Sequence, residues 1–82
     1  MNKFEELEAF VAVVDHHSFS TAADRLGVAK SSLSKRVSEL EKRLGVQLMQ
    51  RTTRKLSLTD SGRHFYQMAV NLLADLNEAE QM

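Results

Sequence analysis

The chain has 82 residues, with eleven Lys and Arg against eleven Asp and Glu, and a formal net charge of zero at pH 7. That length holds one domain, and the lack of cysteine excludes disulfides and thiolate metal sites. No proline and only three glycines favour helix over disorder; no basic-then-apolar leader and no bilayer-length apolar run is present, which fits a cytoplasmic protein.

Asn2 followed by Glu5 has the form of a capping box. Phe4, Leu7, Phe10, Val11 and Val14 then recur at helical spacing and predict a first helix over about residues 3–15. "DHHS" (15–18) ends it. Ser20 is the candidate N-cap of a short second helix with Ala22, Ala23 and Leu26 on one face. Gly27 can take the left-handed conformation that stops this helix, and Val28 reads as a buried turn residue. A third helix carries Leu33, Val37, Leu40 and Leu44 on one stripe and ends at Gly45. "AKSSLSKR" (29–36) opens it, and its polar residues lie opposite that stripe.

After Gly45 the period changes. In "VQLMQRTTRKLSLT" (46–59), Val46 and Leu48 precede a basic tip and Leu56 and Leu58 follow it, which reads as a short β-hairpin. The tip lacks Asn-Gly, so its turn is longer than two residues or irregular. Thr59 or Asp60 caps a last helix with Phe65, Met68, Ala69, Leu72, Leu73, Leu76 and Ala79 near helical spacing. Roughly 20 helical residues span about 30 Å. One small domain does not cover that length, so a second chain or a further domain is expected on its far end.

The zero net charge conceals a segregation. Residues 1–15 set Lys3 against Glu5, Glu6, Glu8 and Asp15, and residues 56–82 set Arg63 against Asp60, Asp75, Glu78 and Glu80, so each segment carries −3. Residues 30–55 set Lys30, Lys35, Arg36, Lys42, Arg43, Arg51, Arg54 and Lys55 against Glu39 and Glu41, giving +6. Such a segment suits a polyanionic partner; a solvated helix face is the plainer alternative.

Small Ala23, then Gly27 and Val28, then a helix bearing Leu33 and Val37, is the layout of a helix-turn-helix. Ala23 lets the second helix cross closely, and Gly27 supplies a positive φ. Leu26, Val28, Leu33 and Val37 would lock the angle between the helices, leaving the polar start of the second free to enter a major groove. Non-binding helical hairpins share that layout.

"AA..L" at 22–26, Ser34 with "S.LE" at 38–41, "LG..L" at 44–48 and "R..R...LT..G" from Arg51 to Gly62 together resemble the DNA-binding module of the LysR-type bacterial transcriptional regulators. The resemblance implies a mainly α, winged helix-turn-helix fold: three helices plus a β-hairpin wing, followed by a long linker helix. On that division residues 1–58 form the DNA-binding domain, with the helix-turn-helix at 19–38 and the wing at 46–58, and residues 59–82 form the linker and dimerisation helix. It further implies sequence-specific binding of double-stranded promoter or operator DNA, without catalysis or cofactor, as a homodimer on an interrupted palindrome. A small-molecule effector would act only through a larger domain absent from this chain, and a full-length protein would form higher oligomers. The family's usual Ser-Gln at the start of the recognition helix is Ala29-Lys30 here. Ala29 cannot cap unless Ser31 or Ser32 caps a turn later, and lysine favours guanine or phosphate where glutamine favours adenine. Met49 stands where phenylalanine is common.

By the same resemblance, Lys30, Ser31, Ser34 and Lys35 contact base edges, and Ser32 and Arg36 contact phosphate. Arg51, Thr52, Thr53, Arg54 and Lys55 form the wing, with Arg54 the candidate for the minor groove. Ser20 and Thr21 start a helix whose N-terminus suits a phosphate. Phe65, Met68, Ala69, Leu72, Leu73, Leu76 and Ala79 form the dimer interface. Lys42 and Arg43 read as solvated, and His16, His17 and His64 form no metal set. A winged-helix protein-interaction module is the alternative function. An enzyme would need a clustered acid–base pair, and the sequence offers none.

Overall fold

A computed structural model of the chain describes residues 2–52 and 55–81. The elements follow in the order α1 (Lys3–His16), α2 (Phe19–Leu26), α3 (Lys30–Leu44), β1 (Met49–Arg51), β2 (Leu56–Leu58) and α4 (Asp60–Glu80). No helix among the described residues is long and apolar enough to cross a membrane.

Local chemistry sets the helix ends. Asn2 Oδ1 accepts from the Phe4 and Glu5 amides at 2.7 and 3.4 Å and starts α1. His17 stops α1 in the left-handed region at φ 53°, the one non-glycine residue with positive φ among those described. The cap of α2 is Ser18, not Ser20: its Oγ accepts from the Thr21 amide at 3.1 Å, and Ser20 lies inside the first turn. Both serines have the chemistry of a cap, and the early stop at His17 gives the place to Ser18. Gly27 at φ 69° and Gly45 at φ 71° end α2 and α3 as expected. Ala29 occupies the cap position of α3 without a side-chain hydrogen bond, and Ser31 and Ser32 do not replace it because the helix has already begun at Lys30.

Helix α1 is the centre of the domain, packing against α2, α3 and α4. The core holds Ala9, Phe10, Val13, Ala22, Ala23, Leu33, Val37, Leu40, Leu48 and Met49. Phe65 and Tyr66 of α4 close it from outside, with ring centroids 5.7 and 6.4 Å from Phe10. The apolar stripes are buried in their middles and open at their ends: Phe4, Leu26 and Leu44 are exposed and Val28 is half-buried. Leu26 therefore does less to lock the helix-turn-helix than its spacing predicts, whereas Ala23, Leu33 and Val37 are buried in the core and Val28 packs against it.

Two long-range ion pairs tie α3 to α1. Arg36 lies 3.4 Å from Glu5. Arg43, expected in solvent, pairs with Glu6, whose carboxylate is buried. Leaving that carboxylate without its partner would cost on the order of 1–3 kcal/mol.

The wing is a two-stranded antiparallel sheet in the register Met49↔Leu58, Gln50↔Ser57, Arg51↔Leu56. It is shorter than its sequence alternation suggests. Val46 lies outside the strand and is exposed, and Leu48 and Met49 are buried in succession. A strand alternates faces; Leu48 lies just before β1 and its carbonyl accepts from the Thr59 amide, one pair beyond Met49↔Leu58. Thr53 and Arg54 lie outside the described residues.

Thr59 caps α4: its hydroxyl accepts from the Gly62 amide at 2.9 Å and donates to the Gln47 carbonyl at 2.6 Å. The near half of α4 covers α1. Ala69 is fully buried and Phe65 half-buried, both facing their own domain. Met68 and Leu72 are 52% and 50% exposed. Leu73 and Leu76 are half-buried, and Ala79 is exposed.

Candidate nucleic-acid interface

Burying the Leu33–Val37–Leu40 stripe against α1 turns the opposite face of α3 to solvent. Lys30, Ser31, Ser32 and Lys35 are exposed on that face. The start of α2 and the base of the wing flank it. His17, Ser18, Phe19, Ser20, Lys30, Arg51, Thr52, Lys55 and Leu56 line one cleft of about 360 Å³. The fold thus brings together residues from three segments that the sequence singles out separately: Ser20, Lys30, and Arg51 with Thr52 and Lys55.

Arg51 is held in place. Its guanidinium stacks 4.5 Å from the centroid of the Phe19 ring, and its Nη1 donates to Ser34 Oγ at 3.2 Å. A cation over an aromatic face is attracted by the ring quadrupole, so Phe19 orients the wing's first arginine above α2. Ser34 is half-buried and accepts this bond rather than standing free. Thr52 and Lys55 close the wing turn: the Thr52 amide donates to the Lys55 carbonyl at 3.1 Å, and the Thr52 hydroxyl bonds the Lys55 backbone at 3.0 Å. That hydroxyl is already in use, whereas the Lys55 ammonium is on an exposed residue. Arg36 leans toward Glu5 and away from the open face. Ser20 and Thr21 are exposed at the start of α2.

Sequence reasoning did not single out Ser18, Phe19 or Glu41. Phe19 precedes the small-residue pair of α2, and only the fold brings Arg51 over it. Glu41 Oε2 accepts from the Leu48 and Met49 amides at 2.7 and 3.1 Å and anchors the base of the wing to α3. Its place on α3, seven residues before Leu48, gave no sign of this.

Elsewhere, the Tyr66 hydroxyl donates to Asp15. That hydrogen bond, then burial, then the nearby negative charge raise the tyrosine above its ordinary pKa of 10.0. No group of three or more His, Cys, Asp or Glu among the described residues could hold a metal ion.

Three helices, a two-stranded wing and an open basic face on the second helix of the turn define a winged helix-turn-helix protein. The chain belongs to the lysR family of bacterial regulatory helix-turn-helix proteins, whose helix-turn-helix matches residues 4–63. It is 49% identical over 80 residues to a helix-turn-helix-type transcriptional repressor of Pseudomonas aeruginosa, covering 98% of this chain and 25% of that protein. It is 47% identical over 76 residues to the transcriptional regulator CrgA of Neisseria meningitidis, covering 93% and 25%. The chain therefore spans about a quarter of the length of the curated relatives it matches. Among solved structures, the DNA-binding domain of BenM in complex with catB site 1 DNA superposes with a TM-score of 0.94 at 40% identity, over 99% of this chain and 91% of that one. BenM is a regulator of Acinetobacter baylyi. The CbnR DNA-binding domain in its DNA complex gives 0.91 at 30% identity, over 98% and 92%.

Proposed function

We propose that this domain binds double-stranded DNA sequence-specifically, as the DNA-binding part of a bacterial LysR-type transcriptional regulator. One observation carries the reading: the start of α3 and the base of the wing bring Lys30, Arg51 and Lys55 to one cleft, with Lys35 exposed further along α3. The complexes of BenM and CbnR with DNA support it. Lys30, Ser31 and Lys35 read base edges in the major groove, joined by Ser34 once Arg51 releases it. Ser20, Thr21, Ser32, Lys55 and Arg51 contact phosphate, with Thr52 and Thr53 beside them on the wing. Arg54 reaches the minor groove. Phosphate contacts position the domain, and base contacts specify the sequence. Arg36, given to phosphate by its place on α3, must leave Glu5 to make that contact.

Two copies associate through α4, where the exposed Met68 and Leu72 lie beside the stripe that covers α1. Leu73, Leu76 and Ala79 extend that seam. The dimer reads an interrupted palindrome. A longer protein of this family would carry the effector-binding domain, act in the cytoplasm and form higher oligomers. The domain itself performs no catalysis and uses no cofactor.

Selection from a random DNA pool would yield the half-site and its spacing, and two variants then separate the roles. Lys35→Ala should cost ~1–3 kcal/mol on the selected site and relax preference there, while Lys55→Ala should weaken all sequences about equally. Affinity should also fall steeply with salt, since each neutralised phosphate releases counterions. Equal, sequence-independent losses from both variants would show that α3 is not the reader. Binding insensitive to salt would remove DNA as the partner.

A further inference from the structure

Leu48, the residue before β1, joins three parts of the molecule. On one side, the Leu48 amide donates to Glu41 Oε2 of α3 at 2.7 Å, and the Met49 amide donates to the same oxygen at 3.1 Å. On the other side, the Leu48 carbonyl accepts from the Thr59 amide at 3.0 Å, and the Thr59 hydroxyl, whose proton points to the nearer Gln47 carbonyl, lies 3.3 Å from it. The Leu48 side chain is fully buried between them. Gly62, in the first turn of α4, presses on this same carbonyl: a Cβ there would lie 2.0 Å from the Leu48 oxygen, 2.9 Å from its carbon and 3.2 Å from Leu58 Cδ2. Gly62 sits within a helix, so what it supplies is space rather than a left-handed conformation.

We propose that this joint is a positioning device, in which Gly62 and Glu41 set the angle between α3 and α4 and thereby the half-site spacing that a dimer accepts, without touching DNA. This rests on the reading of the domain as a DNA binder that dimerises through α4. The leverage is large enough to matter. Relieving a Cβ at Gly62 needs about 1 Å of movement. With Ala69 as fulcrum ~10 Å along the helix and Glu80 a further ~16 Å beyond, the far end moves ~2 Å. Across two protomers that is ~4 Å, comparable to the step of about 3.4 Å per base pair. Glu41 acts from the other side. Its one oxygen holds two successive amides, so losing it frees the Leu48–Met49 segment that α4 rests on.

The chain contains no cysteine, so Ser38→Cys on α3 and Asn77→Cys on α4, both exposed, can be spin-labelled without background. Pulsed electron resonance on labelled chains diluted into unlabelled ones reports the α3–α4 distance within one chain. Binding to duplexes carrying two half-sites at stepped spacings, and to a single half-site, reports the function. Gly62→Ala should shift the mean distance by about 2 Å or more and move the preferred spacing by about one base pair, or erase at least tenfold of that preference. Single half-site affinity should change less than about threefold. Glu41→Ala, which removes the accepting oxygen, should broaden the distance distribution and flatten the spacing profile, and it decides the matter if Gly62→Ala does not fold. Unchanged distances in the folded variants overturn the proposal. So does a shifted distance with an unchanged spacing profile, or a half-site loss as large as the paired-site loss. Absence of binding by the unmodified chain to any duplex overturns the proposal together with the DNA reading, and the distance measurement then says separately whether the joint sets the angle.

Discussion

Helices α3 and α4 carry apolar stripes of similar spacing but opposite fates. In α3, Leu33, Val37 and Leu40 are all fully buried by the rest of the same chain. In α4, Ala69 is fully buried within the same chain, whereas Met68 and Leu72 on the adjoining strip remain half exposed. The stripe on α4 is wider than one neighbour can cover, and α1 takes only one side of it. A helical apolar stripe thus announces that a neighbour exists but not which chain provides it. Position in the domain decides. The stripe of α3 is buried from Leu33 to Leu40 and opens only at Leu44, whereas α4 is fully buried only at Gly62 and Ala69.

The sharpest way to break this contrast is to cut both stripes. Leu40→Ala should cost ~2–5 kcal/mol in thermal or denaturant unfolding, because it leaves a cavity in a closed core. Leu72→Ala should stay within about 0.5 kcal/mol in dilute solution, as expected away from the core. Equal costs would mean that α4 is as closed as α3. A smaller effect sharpens the picture of α3, the one described helix that starts without a side-chain cap. Ala29→Ser should add about 1 kcal/mol, read from the urea midpoint; no gain would mean that the cap position does not limit this helix. The smallest effect tests the covered side of α4. The raised pKa of Tyr66 means that its bond to Asp15 favours the neutral phenol in the folded state. That contribution is fully present below the unfolded pKa and is lost as pH rises through the higher folded value. The melting temperature of the unmodified chain should therefore drop relative to Tyr66→Phe above about pH 10. Parallel curves would remove this hydrogen bond from the account.

Much of this was readable from local chemistry. The helical stripes, Gly27 and Gly45 as stops, Asn2 and Thr59 as caps and the polar start of α3 all follow from rules that act within a few residues. What escaped depends on groups far apart in sequence. Arg43 reads as solvated because its partner Glu6 lies 37 residues away. Leu26 and Leu44 read as core because periodicity does not say where a packed neighbour ends. Ser18 and Ser20 are chemically equal as caps, and only the stop at His17 separates them. Leu48 and Met49, buried in succession, defeat the period-two rule where Glu41 and Thr59 hold the entry to β1. The open basic face was legible as a list of residues. Its assembly into one cleft, with Phe19 beneath Arg51, was not.

The rings of Phe65 and Tyr66 against Phe10 bear on the order in which the molecule can be completed. Phe10 belongs to α1, and its cover belongs to α4, which is synthesised later. A chain cut after Leu58 would contain the whole helix-turn-helix and both wing strands, yet it would leave that ring open to water. The reading unit therefore does not mature ahead of the helix that follows it: a truncation that spares every basic residue of the open face still exposes the centre of the core.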